Sequence, residues 1–210
     1  LWAWGENEHG ALGHNNVDVH YSSPVQLPGT TWSKVFTTTN TTVAIKTDGT
    51  LWIWGRNAYG MLAQNQKGWD DSAGAVNDRS SPTQIGSATD WSTIGTATGN
   101  WYGIKTDGAM WVCGRNDSGE CADGTNTHRS SPVQIPGTTW SVARGGYYGH
   151  AGAIKTDGTL WSWGYNSHGN LGVNDRTNRN SPTQVPGTTW SKLAANNQNM
   201  AAVKTDGTMW

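Results

Sequence analysis

An all-β fold of short antiparallel strands in repeated sheets is what the sequence predicts, and three observations predict it. Apolar residues make up only 34% and the mean hydropathy is -0.63, yet 14 of the 210 residues are Trp and one is Phe. The area needed for a core is therefore concentrated in a few large rings. Gly is abundant at 28, and Thr, Asn and Ser crowd between the apolar residues, a composition that weakens helix interiors and supplies tight turns. The third observation is that the chain repeats itself four times.

LWAWG at residues 1–5 recurs as LWIWG at 51–55, MWVCG at 110–114 and LWSWG at 160–164, and a partial copy opens at Met209 and Trp210. The first Trp of each copy stands 50, 59, 50 and 49 residues before the next. Three other landmarks keep step. S-P-x-Q occupies 23–26, 81–84, 131–134 and 181–184; a Trp-Ser pair follows at Trp32, Trp91, Trp140 and Trp190; and K-T-D-G occupies 46–49, 105–108, 155–158 and 204–207. The repeats fall approximately at 1–50, 51–109, 110–159 and 160–210, as a single propeller or a portion of one.

Within a repeat, the Asp-Gly of K-T-D-G lies between two apolar runs and predicts a hairpin turn. In the first repeat the arms are 43–47 and 50–54. The run 32–37 from Trp32 is a third strand. The stretch around S-P-x-Q is a short outer strand, because Pro24, Pro82, Pro132 and Pro182 lack the N–H that a central strand needs. An edge Pro also guards that strand against pairing with other chains. Four strands per repeat of about 50 residues is the signature of a propeller blade. A single such sheet cannot bury both faces; stacking blades around an axis does, with the rings of one packing on the next.

The pattern W-x-W-G-x-N-x-x-G-x-L-G, followed by S-P-x-x and A-[IV]-K-T-D-G, resembles the regulator of chromosome condensation repeat. The first copy runs Trp2, Trp4, Gly5, Asn7, Gly10, Leu12, Gly13, and the fourth from Trp161 to Gly172. The resemblance covers the whole chain. It implies blades of a seven-bladed ring, of which four repeats are a part. Closure of four blades on themselves stays open, since residues 203–208 could supply the strand that 1–5 lacks. Family functions diverge widely, from nucleotide exchange on a small GTPase and chromatin binding to ultraviolet-B perception and scaffolding, so fold alone does not choose among them. The family often carries a His three residues before the Ala of its A-[LI] pair; here that position holds Thr41, Asn100, His150 and Asn199. The photoreceptor members place Trp two residues earlier, where this chain has Thr39, Thr98, Tyr148 and Asn197. The exchange-factor members depend on an inserted wedge hairpin and a basic tail, and these four repeats show neither.

No catalytic constellation is found. The recurrence of the Trp residues blade by blade marks them as core, and a repeated Asp at a hairpin turn is explained by turn geometry. The six His show no zinc spacing, and His9 and His168, in matching loop positions, read as solvated. No cofactor or metal is expected. The departures from the repeat supply the binding candidates. The second repeat is longer by nine or ten residues, and the excess falls in 65–78, where Trp69 has no counterpart and Asp70, Asp71 and Asp78 accompany it. A partner contact or weak Ca²⁺ site there competes with a merely longer loop. Trp101 is the other Trp off the pattern. Cys113 and Cys121 replace a Trp and a Leu in the third repeat, and a disulfide across that gap is expected, with two buried thiols as the alternative.

Fourteen basic and fifteen acidic residues give a net charge of -1 with no basic run, so nucleic acid binding is not indicated. No apolar stretch is long enough for a membrane span, and no leader is visible. The chain opens at Leu1 without Met and ends inside an apolar run, which reads as an excerpt or processed portion of something longer. These observations predict a non-enzymatic interaction or structural module that presents loops to a protein or glycan. The near-neutral Asn/Thr/Trp-rich composition leans to an extracellular or virion surface, and a disulfide would agree with it. The alternative is a propeller of the exchange-factor or chromatin-binding kind.

Overall fold

The computed structural model describes residues 1–66 and 77–210, which form sixteen strands and no helix. The chain begins with an antiparallel pair, β1 (Trp2–Gly5) and β2 (Tyr21–Gln26). Three four-stranded meanders follow. The first is β3 (Trp32–Thr37), β4 (Thr41–Lys46), β5 (Leu51–Gly55) and β6 (Arg79–Gln84). The second is β7 (Trp91–Ala97), β8 (Asn100–Lys105), β9 (Met110–Gly114) and β10 (Arg129–Ile135). The third is β11 (Trp140–Gly145), β12 (His150–Lys155), β13 (Leu160–Gly164) and β14 (Arg179–Gln184). A last pair, β15 (Trp190–Ala195) and β16 (Met200–Lys204), ends the chain.

Each four-stranded sheet starts at a Trp-Ser pair and ends on the S-P-x-Q of the following repeat. The strands that open on Trp-Ser are the inner edges: β7 lies against β3 and β11, and β11 against β15. The proline-bearing strands are the opposite edge, where the missing N–H costs no ladder bond. The pair β15–β16 is thus the inner half of a blade and β1–β2 the outer half of another. They do not join. The two main-chain bonds between Ala202 and Trp210 show instead that Met209 and Trp210 begin the third strand beside β16. Four-blade closure is not realised, and the architecture is part of a propeller.

In every K-T-D-G turn the Asp carboxylate accepts the main-chain N–H two residues on. Asp48 Oδ1 accepts the main-chain N–H and the hydroxyl of Thr50 at 3.0 and 2.7 Å, and the Thr50 hydroxyl accepts the Trp52 indole N–H at 2.9 Å. Asp157, Thr159 and Trp161 repeat this arrangement. The hydroxyl bond is the first cause holding the Asp48 and Asp157 carboxyls below the usual range. In the second blade Ala109 replaces the Thr, and the buried Trp111 Nε1 has no partner. The Lys of each motif lies over two rings, as Lys155 does at 4.7 Å from both Trp140 and Trp161.

Blades are joined by a second set of rings. Trp54 Nε1 donates to the Ala11 carbonyl at 2.8 Å and Trp163 Nε1 to the Glu120 carbonyl at 2.9 Å, each reaching back into the preceding loop. Trp2 and Trp4, with no preceding blade against β1, are 56% and 58% exposed, whereas Trp54 and Trp163 are buried. Of the recurrent rings, Trp54, Trp91, Trp140, Trp163 and Trp190 are buried, while Trp32, Trp52, Trp111 and Trp161 are half-buried.

Two expectations are corrected here. Trp101, a candidate for partner contact, is fully buried. It sits directly across the β8–β9 ladder from Cys113, as Thr42 faces Trp54 and Ala151 faces Trp163. Its indole donates to the Met61 carbonyl at 2.8 Å, the position equivalent to Ala11 and Glu120. The ring lost at 113 is supplied from the neighbouring strand. The space that a disulfide was expected to bridge is therefore already filled, and Cys113 and Cys121 are both free and buried. The Cys113 thiol points at the carbonyls of Gly60 and Arg129, and that of Cys121 at Gly114 and Arg115.

Candidate functional site

The strand order places two kinds of loop at one end of every sheet. The turn from the inner strand to the second strand (38–40 in the first blade) lies there. So does the loop that follows the W-x-W-G strand, because Thr41 pairs with Gly55 and Thr37 with Thr42. K-T-D-G lies at the other end.

The loops after W-x-W-G are held by the repeated Asn. Asn57 Oδ1 accepts the N–H of Leu62 at 3.0 Å, its amide donates to the Gln66 carbonyl, and its own N–H donates to Asp78 Oδ1 at 2.8 Å. Asn7, Asn116 and Asn166 are knotted the same way, with His20, His128 and Asn178 in the place of Asp78. The row Asp78, His20, His128 and Asn178 is thus an acceptor position of the fold. Asp78 also binds His9 Nδ1 at 2.8 Å, and both side chains are about nineteen-twentieths buried. Two readings change accordingly. His9 is a buried paired residue and not a solvated one, while its counterpart His168 is exposed. Asp78 belongs to the frame of the loop and not to an acidic binding cluster. Trp69, Asp70 and Asp71 lie outside the described residues.

The position that often holds His in the resembled family also has a structural task. The Thr41 hydroxyl donates to the Arg56 carbonyl at 3.0 Å and the Asn100 amide to that of Arg115 at 2.6 Å, fastening the second strand to the loop. His150 instead reaches the Asn199 carbonyl at 3.3 Å, and burial holds its imidazole below the usual range.

The inner turns are equivalent in position and unlike in sequence: T-T-N at 38–40, T-G at 98–99, G-Y-Y-G at 146–149 and N-N-Q at 196–198. They converge around the inner strands on an open cleft of about 500 Å³. No charged side chain lines it. Thr38, Thr39, Thr96 and Thr98 supply hydroxyls, Asn196 and Asn197 amides, and Tyr147 a ring. The G-Y-Y-G turn is fixed by its neighbour: the N–H of Tyr147 donates to the Asn196 carbonyl at 3.2 Å and that of Tyr148 to Asn197 at 3.3 Å. Two glycines allow this approach. A Cβ on Gly146 would fall 2.1 Å from the Asn196 carbonyl oxygen, and one on Gly149 (φ +86°) 2.3 Å from Glu120 Oε1. The tyrosines stay 51% and 45% exposed, their rings 5.3 Å apart and edge-on.

Behind this turn, Glu120 is buried. Its Oε2 accepts the Ser118 N–H at 2.7 Å, whereas Oε1 lies 3.6 Å from Arg115 Nε, too far for a hydrogen bond. Burial pushes its carboxyl above the usual range. Among the described residues no group of His, Cys, Asp and Glu is arranged to hold a metal. Sequence reasoning passed over Tyr147 and Tyr148 as site residues. The signal was there: Trp140 to His150 is one residue longer than the three equivalent stretches.

The family model described as "Regulator of chromosome condensation (RCC1) repeat" matches residues 1–45 and 157–202, and a second of the same description matches 32–60, together just over half of the chain. No curated protein matches. Among solved structures, human WBSCR16 superposes with a TM-score of 0.79 at 23% identity, over 97% of this chain and 53% of its own. Prp20p from Saccharomyces cerevisiae, described with its binding properties to Gsp1p and histones, gives 0.77 at 18% identity over 97% and 51%. Yeast RCC1 (Prp20) with Kap60 gives 0.77 and 18% over 97% and 50%. The chain spans about half the length of these proteins.

Proposed function

Because the chain belongs to the regulator of chromosome condensation repeat family, we propose that it is a non-enzymatic interaction scaffold whose loop-bearing end seats a partner. One observation carries this. Four turns that the fold holds in equivalent positions have unlike sequences, and they meet on an open, uncharged cleft lined by Tyr147, whose exposed neighbour Tyr148 stands edge-on to it. Where side chains knot loops or join blades, the same task recurs even when the residue changes: an Asn holds each loop, and an indole reaches the preceding loop from Trp54, Trp101 and Trp163. The inner turns are released from that constraint, as a binding surface on a rigid frame is. The titratable groups nearby serve structure: Asp78 and His9 pair, and His150 fastens a turn.

A protein partner is supported by the likeness to Prp20p. That likeness also favours a second reading, a regulatory propeller that engages a GTPase or histones. An extracellular or virion setting rests on composition alone, since the cysteines give it no disulfide. The test is direct. Binding of the chain to purified Gsp1p, to histones and to a glycan array is measured beside the double variant Tyr147→Ala/Tyr148→Ala and, at the opposite end, Thr138→Ala/Thr188→Ala. Binding lost only in the tyrosine variant supports the proposal. Binding lost only in the threonine variant places the surface at the K-T-D-G end and overturns it.

A further inference from the structure

Resting on the reading that this end of the blades is the binding face, we infer that the central cleft is a subsite for a neutral saccharide. The chemistry of its lining selects the ligand class. A charged peptide or phosphate would be met by a counter-charge, and the cleft has none. A peptide added as a strand needs an unbroken run of free main-chain donors, and here the run is interrupted, because those of Thr38, Gly146, Tyr147 and Asn196 are engaged within the protein. A protein anchor side chain needs a deep apolar pocket, and the apolar side of this open cleft amounts to Ala97, two glycines and the Tyr147 ring.

Side-chain hydroxyls and amides remain. Among the described residues, those of Thr39, Thr98 and Asn197 are engaged by no other group of the protein. A hydroxyl and an amide each donate and accept, which matches an uncharged ligand whose polar groups are mostly hydroxyls. The Tyr147 ring on the cleft, with the exposed Tyr148 edge-on beside it, adds an aromatic surface for the C–H face of a sugar, together with a phenolic hydroxyl at its rim. Two main-chain bonds hold the aromatic turn in place before any ligand arrives, which lowers the cost of ordering it. The volume of about 500 Å³ suits one or two sugar rings.

The experiment titrates the ¹⁵N-labelled chain with cellotetraose, maltotetraose, mannotetraose and chitotetraose at millimolar concentration, and with a neutral Gly-Ser-Asn-Gly peptide. At least one saccharide is expected to move the side-chain amide signals of Asn196 and Asn197 and the main-chain signals of Tyr147 and Tyr148. An open polar cleft predicts a Kd on the order of 1 mM. Tyr147→Ala/Tyr148→Ala weakens that binding at least tenfold with the melting temperature unchanged; should it unfold the protein, Asn197→Ala is read in its place. Movement by the peptide and by no saccharide overturns the inference and leaves the binding face standing. Silence of these signals towards all five probes overturns the inference as well. The binding face falls separately, if the tyrosine variant retains every protein interaction found for the parent.

Discussion

Moving the indole of Trp101 back across the ladder is the sharpest test of how this fold is held together. Trp101 and Cys113 are directly paired on β8 and β9 and share one buried cluster. Cross-strand partners have Cβ atoms only about 5 Å apart on the same face, so a ring hung from either strand reaches the same space. Trp101→Ala removes a fully buried ring and its bond to Met61, and is expected to cost about 3–5 kcal/mol. Cys113→Trp alone puts a second ring into a filled site and costs at least about 1–3 kcal/mol. The double variant Trp101→Ala/Cys113→Trp recreates the Ala151/Trp163 pairing of the next blade, with an indole again within reach of the Met61 carbonyl. It is expected to lie within about 1.5 kcal/mol of the parent, as volume-conserving swaps do. The singles together predict a loss of roughly 4–8 kcal/mol, so the coupling is favourable by several kcal/mol. Urea unfolding followed by far-ultraviolet circular dichroism gives all four corners of the cycle. Additive losses in the double variant would refute the interchange and make Trp101 a residue with a separate role.

Other outcomes follow from single positions. Ala109→Thr should restore the hydroxyl that Asp107 and Trp111 lack and raise stability by about 0.5–1.5 kcal/mol in the same urea assay. Burial pushes the Cys113 thiol up to about 12 and the Cys121 thiol above its usual range, so a disulfide-exchange reagent at pH 8 should label neither in the native chain and both after denaturation. Glu120 ionises with difficulty in the folded state, so its burial costs nothing below the ordinary carboxyl range and costs stability as pH rises through it. Glu120→Gln should therefore stabilise at pH 7, with the gain vanishing towards pH 4 in thermal melts. His150 has the opposite sign. Its depressed imidazole contributes stability above the ordinary His range that is lost as pH falls, and His150→Asn, the residue at positions 100 and 199, should flatten the decline of melting temperature below pH 6.5.

The fold was legible because its determinants are local and repeated. Asp-Gly between apolar runs specified the hairpins, and an edge Pro specified the rim strands. What the repeat left unread is pairing between elements distant in sequence. His9 reads as a loop residue until Asp78, 69 residues away, is seen to bury beside it. The row His20, Asp78, His128 and Asn178 is chemically mixed, so a search for identical residues misses a shared task that is to accept one N–H. The candidate site was the least legible part. Its side chains share no motif, and only the one-residue lengthening before His150 marks it.

The departures from the repeat divide into two kinds on physical grounds. Cys113 and Trp101 break the pattern together, one losing a ring and the other gaining it across a single ladder step, so the core volume is conserved. Such paired breaks record compensation within the fold. The lengthened turn at Tyr147 and Tyr148 has no such counterpart. No neighbouring blade loses a ring to match the two it gains, and both rings remain exposed, that of Tyr147 lining the cleft. Exposed aromatic surface held rigidly by its own backbone adds little to folding stability, because little of its area leaves water. A break of that kind is where a use outside the fold is to be sought, and it is why the proposed binding face is drawn at the tyrosine turn and not at the buried Trp101.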